Sequence, residues 1–331
     1  MSKQTNSKTI KTSIGGQAVI EGVMMRGPKL TALSVRMPDQ SISTETWDTP
    51  NSNKWYKKTP FIRGVFNFVE SLTDGYKSLM KAAEKAGLDD EEEEPSKFEQ
   101  KLRQLLGDKF MPFLQGCILL FSLAMALFFF AFLPTTLVGF FKDYINHPLA
   151  LSALEGLTKI AILILYLALI SNMSDIKRVF MYHGAEHKCI NCVEHGLELN
   201  VENVLKSSRE HKRCGTSFLM YVIVISIIFF MFIRVDSPVL KIVIRLLLIP
   251  VIAGVSYEII RLAGKSDNKL VNLISKPGLM LQHLTTREPD AEMAEVAIAA
   301  VEAVFDWRAY LNENFGYTYP AKTEKKEHEE P

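Results

Sequence analysis

The chain has 331 residues, enough for one or two compact units, and sets 38 Lys and Arg against 37 Asp and Glu. So even a balance excludes a nucleic-acid-binding charge signature spread over the whole protein, leaving only local basic patches. Apolar residues make up 48% of the sequence and gather in long stretches nearly free of charge, the pattern of a polytopic helical membrane protein.

The first dozen residues, 1–12, are polar and lack the apolar core of a secretory signal, so they are expected to be disordered. In "GGQAVIEGVMMRGP", residues 15–28, glycines bracket short apolar runs, which suits tight turns or close backbone approach. "TALSVRMPDQSISTETW" alternates and turns at Pro38-Asp39, as a β-hairpin does. Next, Phe61, Val65, Phe68, Leu72, Tyr76 and Leu79 recur at helical spacing. This predicts an amphipathic helix, lying on the bilayer or packed on protein. Residues 13–88 therefore read as a small α+β cap, closed by the acidic linker "DDEEEEPS" at 89–96.

A membrane domain over 97–257 follows, with about four spans near 111–135, 157–171, 216–234 and 239–257. Buried core helices are the alternative, and Pro134 can break the first span into a hairpin. Lys159 in the second span can snorkel, while Arg245 and Glu258 interrupt the fourth; Arg245 can snorkel or pair with Glu258. An even number of spans puts both termini and the 172–215 loop on one side. The loop carries Lys177, Arg178, Lys188, Lys206, Arg209, Lys212 and Arg213, so that side is expected to be cytoplasmic. Cys117 lies in a span; Cys189, Cys192 and Cys214 then face a reducing compartment, where free thiols or metal ligands outnumber disulfides. Residues 258–315 form a cytoplasmic C-terminal segment whose "EPDAEMAEVAIAAVEAVFDW" opens on a Pro-Asp cap signal and continues as an amphipathic helix. The tail, 316–331, is expected to be disordered.

The densest chemistry lies in "YHGAEHKCINCVEHG", residues 182–196. His183 and His187 are four apart, so on a helix they share one face, with Glu186 beside them. Ile176, Val179, Phe180 and Ile190 continue that face, which turns the histidines toward protein. H-x-x-E-H matches the inverted zinc-peptidase signature, in which two histidines bind zinc and the glutamate is the general base. A third ligand must come from elsewhere, with Glu258 in "SYEIIR" and Glu21 in "AVIEGVMM" as carboxylate candidates. Two partly buried histidines bonded to their neighbours are the alternative. Cys189-x-x-Cys192 and His211-x-x-Cys214 together offer a rival four-ligand structural zinc site. The reading with fewest assumptions is one site on His183 and His187 with His211 or Cys214 nearby, and His195 at the surface.

"GGQAVIEGVMMRGP", "YHGAEHKCINCVE", "LNVENVLKSSREHKRCGTSFL", "GVSYEIIR" and "PGLMLQHLTTREPD" resemble, in order, the motifs of the YqhQ-like family of bacterial membrane proteins, over roughly residues 13–305. The resemblance implies a multi-pass protein of the bacterial cell membrane and a metal-dependent enzyme. It implies site roles for His183, Glu186, His187, His211 and Cys214, which fall inside those motifs. Cys189 stands where threonine is expected in relatives, which weakens the Cys189/Cys192 pair as ligands. The motif residues Glu21, His211, Cys214, Glu258 and Gln282, with the HGAEH segment, are expected to converge on one pocket at the membrane surface. The plainer alternative is that the glycine motif and "PGLMLQHLTT" only plug a cap onto the bundle.

The function expected first is a zinc-type hydrolase at the inner membrane face. Glu186 would be its base, and Arg26 or Arg261 would hold an anionic part of a peptide or lipid-linked substrate. The second is a scaffold or regulator with a structural metal that binds a cytoplasmic partner protein or the ribosome. Its basic stretch "KSSREHKR", 206–213, suits an acidic surface or lipid headgroups. Transport, suggested by Arg245, ranks last, and nucleic acid is not expected as a partner.

Overall fold

The computed structural model describes residues 9–50, 54–87, 96–145, 147–233, 235, 237–266 and 268–320. The acidic linker, apart from Ser96, and the last eleven residues of the expected tail lie outside them, as do residues 1–8. The fold is mainly helical, with one small sheet.

The sheet is an antiparallel meander of β1 (Gly15–Val19), β2 (Gly22–Arg26), β3 (Leu30–Arg36) and β4 (Ile42–Asp48), in that order. Strands β3 and β4 are the hairpin turned at Pro38-Asp39, where Asp39 accepts from the Ser41 backbone N–H at 2.9 Å. Alternation along β2 splits its side chains between two layers. Met24 joins Val19, Leu33 and Val35 against Ala82 on one face, while Val23 and Met25 face the main cap core.

That core is built on α7 (Ser174–Glu194) and α12 (Ala291–Val304). From Tyr182 to Glu194, every α7 residue except His183 is buried. The Asp290 carboxylate caps α12, accepting from Met293 N at 2.8 Å. Short helices α8 (Val201–Lys206) and α13 (Trp307–Phe315) close the cap. Residues 9–12, expected to be disordered, run along α7 as a strap: Ile10 N bonds Glu194 O at 3.0 Å and Thr12 N bonds Glu194 Oε1 at 2.8 Å. Tyr317 and Tyr319, also expected in a disordered tail, bond Gly196 O and Asn312 Oδ1.

Below the cap, α3 (Lys97–Leu106) leads into α4 (Phe110–Leu127), which continues through a π-helical segment, 128–132, into α5 (Leu133–Gly139). Pro134 therefore opens α5 and does not break the helix into a hairpin; the π segment takes up the disrupted ladder. The other helices here are α6 (Pro148–Ile170), α9 (Gly215–Met231), α10 (Pro238–Lys265) and α11 (Lys269–Thr285). Among the described residues, three stretches are long and apolar enough to cross a membrane: Phe110–Gly139, Pro148–Ile170 and Val243–Lys265. The third expected span, α9, has 17 residues, roughly 25 Å by the helical rise against a hydrocarbon core of about 30 Å. On the first stretch Leu119, Leu120 and Phe121 are 68–70% exposed, an apolar surface that a water-soluble protein would cover.

Before these come α1 (Trp55–Lys58) and α2 (Ile62–Lys85), the expected amphipathic helix. Its buried residues are Gly64, Gly75, Ser78 and Ala82, while Phe66, Val69, Leu72 and Tyr76 are exposed. Gly64 packs on Gly254 and Tyr257 of α10.

Candidate metal centre

Three elements meet where the cap joins the long apolar helices: α7, the N-terminus of α9 and the C-terminal end of α11. His183 and His187 lie a turn apart on α7, with ring centroids 4.4 Å apart. The small residues of HGAEH let other chain segments close in. A Cβ at Gly184 would overlap the Arg287 carbonyl oxygen, so only glycine lets the stretch after α11 lie against α7. That approach brings the Thr285 carbonyl to His183 Nδ1 at 2.8 Å, and the Arg209 carbonyl meets His187 Nδ1 at 2.6 Å. Both rings are thus oriented by backbone oxygens through Nδ1, which leaves Nε2 for other work.

Cys214 is the N-cap of α9, its Sγ accepting from Thr216 N at 3.4 Å and lying 3.2 Å from His183 Nε2. One ligand atom from each of His183, His187 and Cys214 lies within 4.8 Å of the others, so the three form a cluster that can hold a metal ion. Burial works against a thiolate on Cys214, yet the adjacent His183 and His187 hold its pKa well below the ordinary thiol range; the helix N-terminus favours the same charge. Burial likewise opposes a charge on His183, and Cys214, with help from Glu186 and the Thr285 carbonyl, overrides it and raises the pKa to about 9.

Glu186 Oε2 lies 4.0 Å from His183 Nε2 and 3.9 Å from His187 Nε2. Burial holds its carboxyl above the usual range, opposed by His187, His183 and the Gly16 backbone N–H. The ring of His211 stands 5.5 Å from that of His187, and burial plus neighbouring positive charge push its pKa well down. Gln282, fully buried, pins the His211 backbone: Oε1 accepts from His211 N at 2.9 Å and Nε2 donates to His211 O at 2.7 Å. Gln282 therefore acts on the ligand loop as a clamp.

Other expected site residues are held elsewhere. Glu258 makes a two-bonded ion pair with Arg63 of α2, at 2.7 and 2.5 Å, and accepts from Phe61 N, so it is neither the third ligand nor the partner of Arg245. Arg261 lies in the field of that carboxylate. Glu21 takes two bonds from Arg178, both at 2.5 Å, at the β1–β2 turn and lines a separate cleft of about 230 Å³. Arg26 faces Asp74 at 3.7 Å. Cys189 and Cys192 are buried in the apolar cap core, and burial raises both thiols, Cys192 to about 12. The rival four-ligand site is therefore not assembled. Arg245 and Lys159 do not snorkel but meet Glu155, at 3.2 and 2.9 Å. The residues that sequence reasoning missed are Gly16, Thr285 and Arg209, which act through backbone atoms; only the Gly-Gly pair hinted at close approach.

A mainly helical protein with membrane-length apolar helices, a four-stranded cap and a buried His/Cys cluster is the class this geometry defines. Residues 59–307 match the family described as "Protein of unknown function (DUF1385)", and the chain belongs to that family. It is 36% identical over 308 residues, 92% of this chain and 96% of the relative, to "Uncharacterized protein YqhQ" of Bacillus subtilis (strain 168). No solved structure matches it. Neither description names an activity, so the expected metal-dependent chemistry rests on the residues of the cluster alone.

Proposed function

We propose that this chain is a multi-pass membrane metalloprotein that holds a zinc-type divalent ion at the cytoplasmic membrane face, through His183, His187 and Cys214. The observation that carries the reading is the division of labour on the imidazoles. Both Nδ1 atoms are occupied by backbone carbonyls, so both Nε2 atoms stand ready beside the Cys214 sulfur. Two imidazoles and a thiolate suit zinc, and three protein ligands leave a fourth position open. An ion bound there supplies Lewis acidity and lowers the pKa of a water molecule. The chain's own contribution to hydrolysis is Glu186, a carboxyl next to both Nε2 atoms that can accept a proton. The substrate class is a peptide or a lipid-linked molecule reaching the site from the membrane side.

Topology supports the cytoplasmic placement. The N-terminal sheet, α7 and α12 pack into one core, so the chain leaves and re-enters the same side. Crossings then come in pairs, α4–α5 with α6 and α9 with α10. Short as it is, α9 crosses by local thinning of the bilayer, and the basic residues between α6 and α9 put the cap inside.

The test is the metal content of purified full-length protein. A stoichiometric ion in the wild type and none in His183→Ala/His187→Ala is expected; equal content in both removes the site. Glu186→Gln separates hydrolase from scaffold. The hydrolase reading expects metal and Tm to be retained with function lost in cells. A structural metal expects no functional change, and collapse of the whole fold on chelation.

A further inference from the structure

Where α2 meets the cap end of α10 lies a second cleft, of about 310 Å³, lined by Arg26, Lys57, Asn67, Ser71 and Tyr257. Each of these side chains carries an N–H or O–H donor, two are cationic and none is a carboxylate. The Arg26 guanidinium makes no hydrogen bond among the described residues; its ion-pair neighbour, Asp74, is 3.7 Å away and its side chain is one-third exposed. Lys57 is 6% exposed and bonds Glu70 at 2.7 Å, which uses one or two of its three donors. Asn67 donates to Tyr257 Oη at 2.7 Å, so the phenol's own hydrogen has another direction to take.

The surroundings identify the phase outside. Helix α2 turns small residues to the protein and Phe66, Val69, Leu72 and Tyr76 outward, the reverse of a helix on a water-soluble surface. Tyr257 belongs to the apolar stretch Val243–Lys265. Donors clustered beside lipid-facing apolar residues lie at headgroup depth, and an under-used guanidinium fork matches the oxygens of a phosphate.

We infer that this cleft binds a phosphate group, carried by an anionic phospholipid of the cytoplasmic leaflet or free in solution. The inference rests on the membrane reading of α10 and is independent of the metal.

The experiment titrates detergent-purified full-length protein with phosphatidylglycerol or phosphatidylcholine and counts bound lipid by native mass spectrometry. Phosphatidylglycerol is expected to bind the more tightly. Arg26→Gln is expected to lose roughly tenfold of that affinity, the size of one charge-assisted bond. Displacement by inorganic phosphate identifies the phosphate alone as what is recognised; failure to displace identifies the intact lipid. If neither phosphatidylglycerol nor inorganic phosphate binds in a way that Arg26→Gln weakens, the inference is overturned. Should Arg26→Gln not fold, Ser71→Asp at the exposed rim is expected to weaken phosphatidylglycerol binding with Tm unchanged, and unaltered binding there also overturns it. If labelling from each side refutes the topology while phosphate binding still depends on Arg26, the cleft stands and the membrane reading falls.

Discussion

Gly16 of β1 and Glu186 of α7 touch although they lie far apart in sequence. A Cβ on residue 16 would come 2.9 Å from Glu186 Cγ, 3.1 Å from Oε1 and 2.8 Å from the Met24 carbonyl oxygen. The side chain could shift, but the Met24 oxygen is part of the sheet ladder. Gly16→Ala is therefore expected to destabilise the cap by about 1–3 kcal/mol, as overpacking does. It should also displace Glu186 while leaving the metal ligands in place. A lowered Tm with unchanged metal content checks this; a wild-type Tm contradicts it.

Metal affinity should depend on pH through His183. In the metal-free protein its pKa is raised to about 9, so at neutral pH the ring is protonated at both nitrogens. A cation on Nε2 must displace one proton. Apparent zinc affinity is thus expected to climb about tenfold per pH unit up to about pH 9 and then level off, with proton release on binding. Calorimetry in buffers of different ionisation enthalpy measures that release. Affinity that is flat over this range contradicts the His183–Cys214 charge pair.

Local rules account for what was readable in advance. Proline and aspartate at 38–39 mark a turn, the i,i+4 spacing puts His183 and His187 a turn apart on α7, and Asp290 caps α12. The choice of partner for a charge was not readable, because it depends on which helices become neighbours. Glu258 pairs with Arg63 and Arg245 with Glu155, both across long sequence separations. Periodicity in α2 marked an apolar stripe without saying whether protein or lipid covers it; only packing at Gly64 and Ala82 places the small residues inside. The sequence offers both His211 and Cys214 as neighbours for the two histidines. The position of Cys214 as a helix N-cap, aimed at His183, became visible only in three dimensions.

The charged group at the far end of the bundle makes a stability prediction. Glu155 accepts from Lys159 Nζ at 2.9 Å and Thr135 Oγ1 at 3.2 Å, and faces Arg245; both cations also lie over the Phe230 ring. Glu155→Gln removes the carboxylate that both cations face and is expected to cost about 3–5 kcal/mol. Lys159→Met leaves a balanced Glu155–Arg245 pair and should cost far less. Thermal unfolding in detergent ranks the two, and the opposite ranking would refute this account of the cluster.

Paired crossings can be tested without the native cysteines. Cys189, Cys192 and Cys214 are buried, so thiol reagents should miss them from either side. Thr46, Glu198 and Glu313 are exposed on three parts of the cap: the sheet, the segment after α7 and α13. Because those parts share one core, Thr46→Cys, Glu198→Cys and Glu313→Cys should all react with an impermeant maleimide only when the cytoplasmic face is opened. Lys142→Cys and Ser237→Cys, at the opposite end of the bundle, should react in intact cells. If α9 failed to cross while α10 did, Glu198 and Glu313 would label from opposite sides. The cap core would then have to come apart, with Val193 and Leu199 exposed to water. Burying several such side chains contributes roughly 1.5–3 kcal/mol each, more than the modest cost of thinning a bilayer around a 17-residue helix. The balance favours a short crossing over a divided cap.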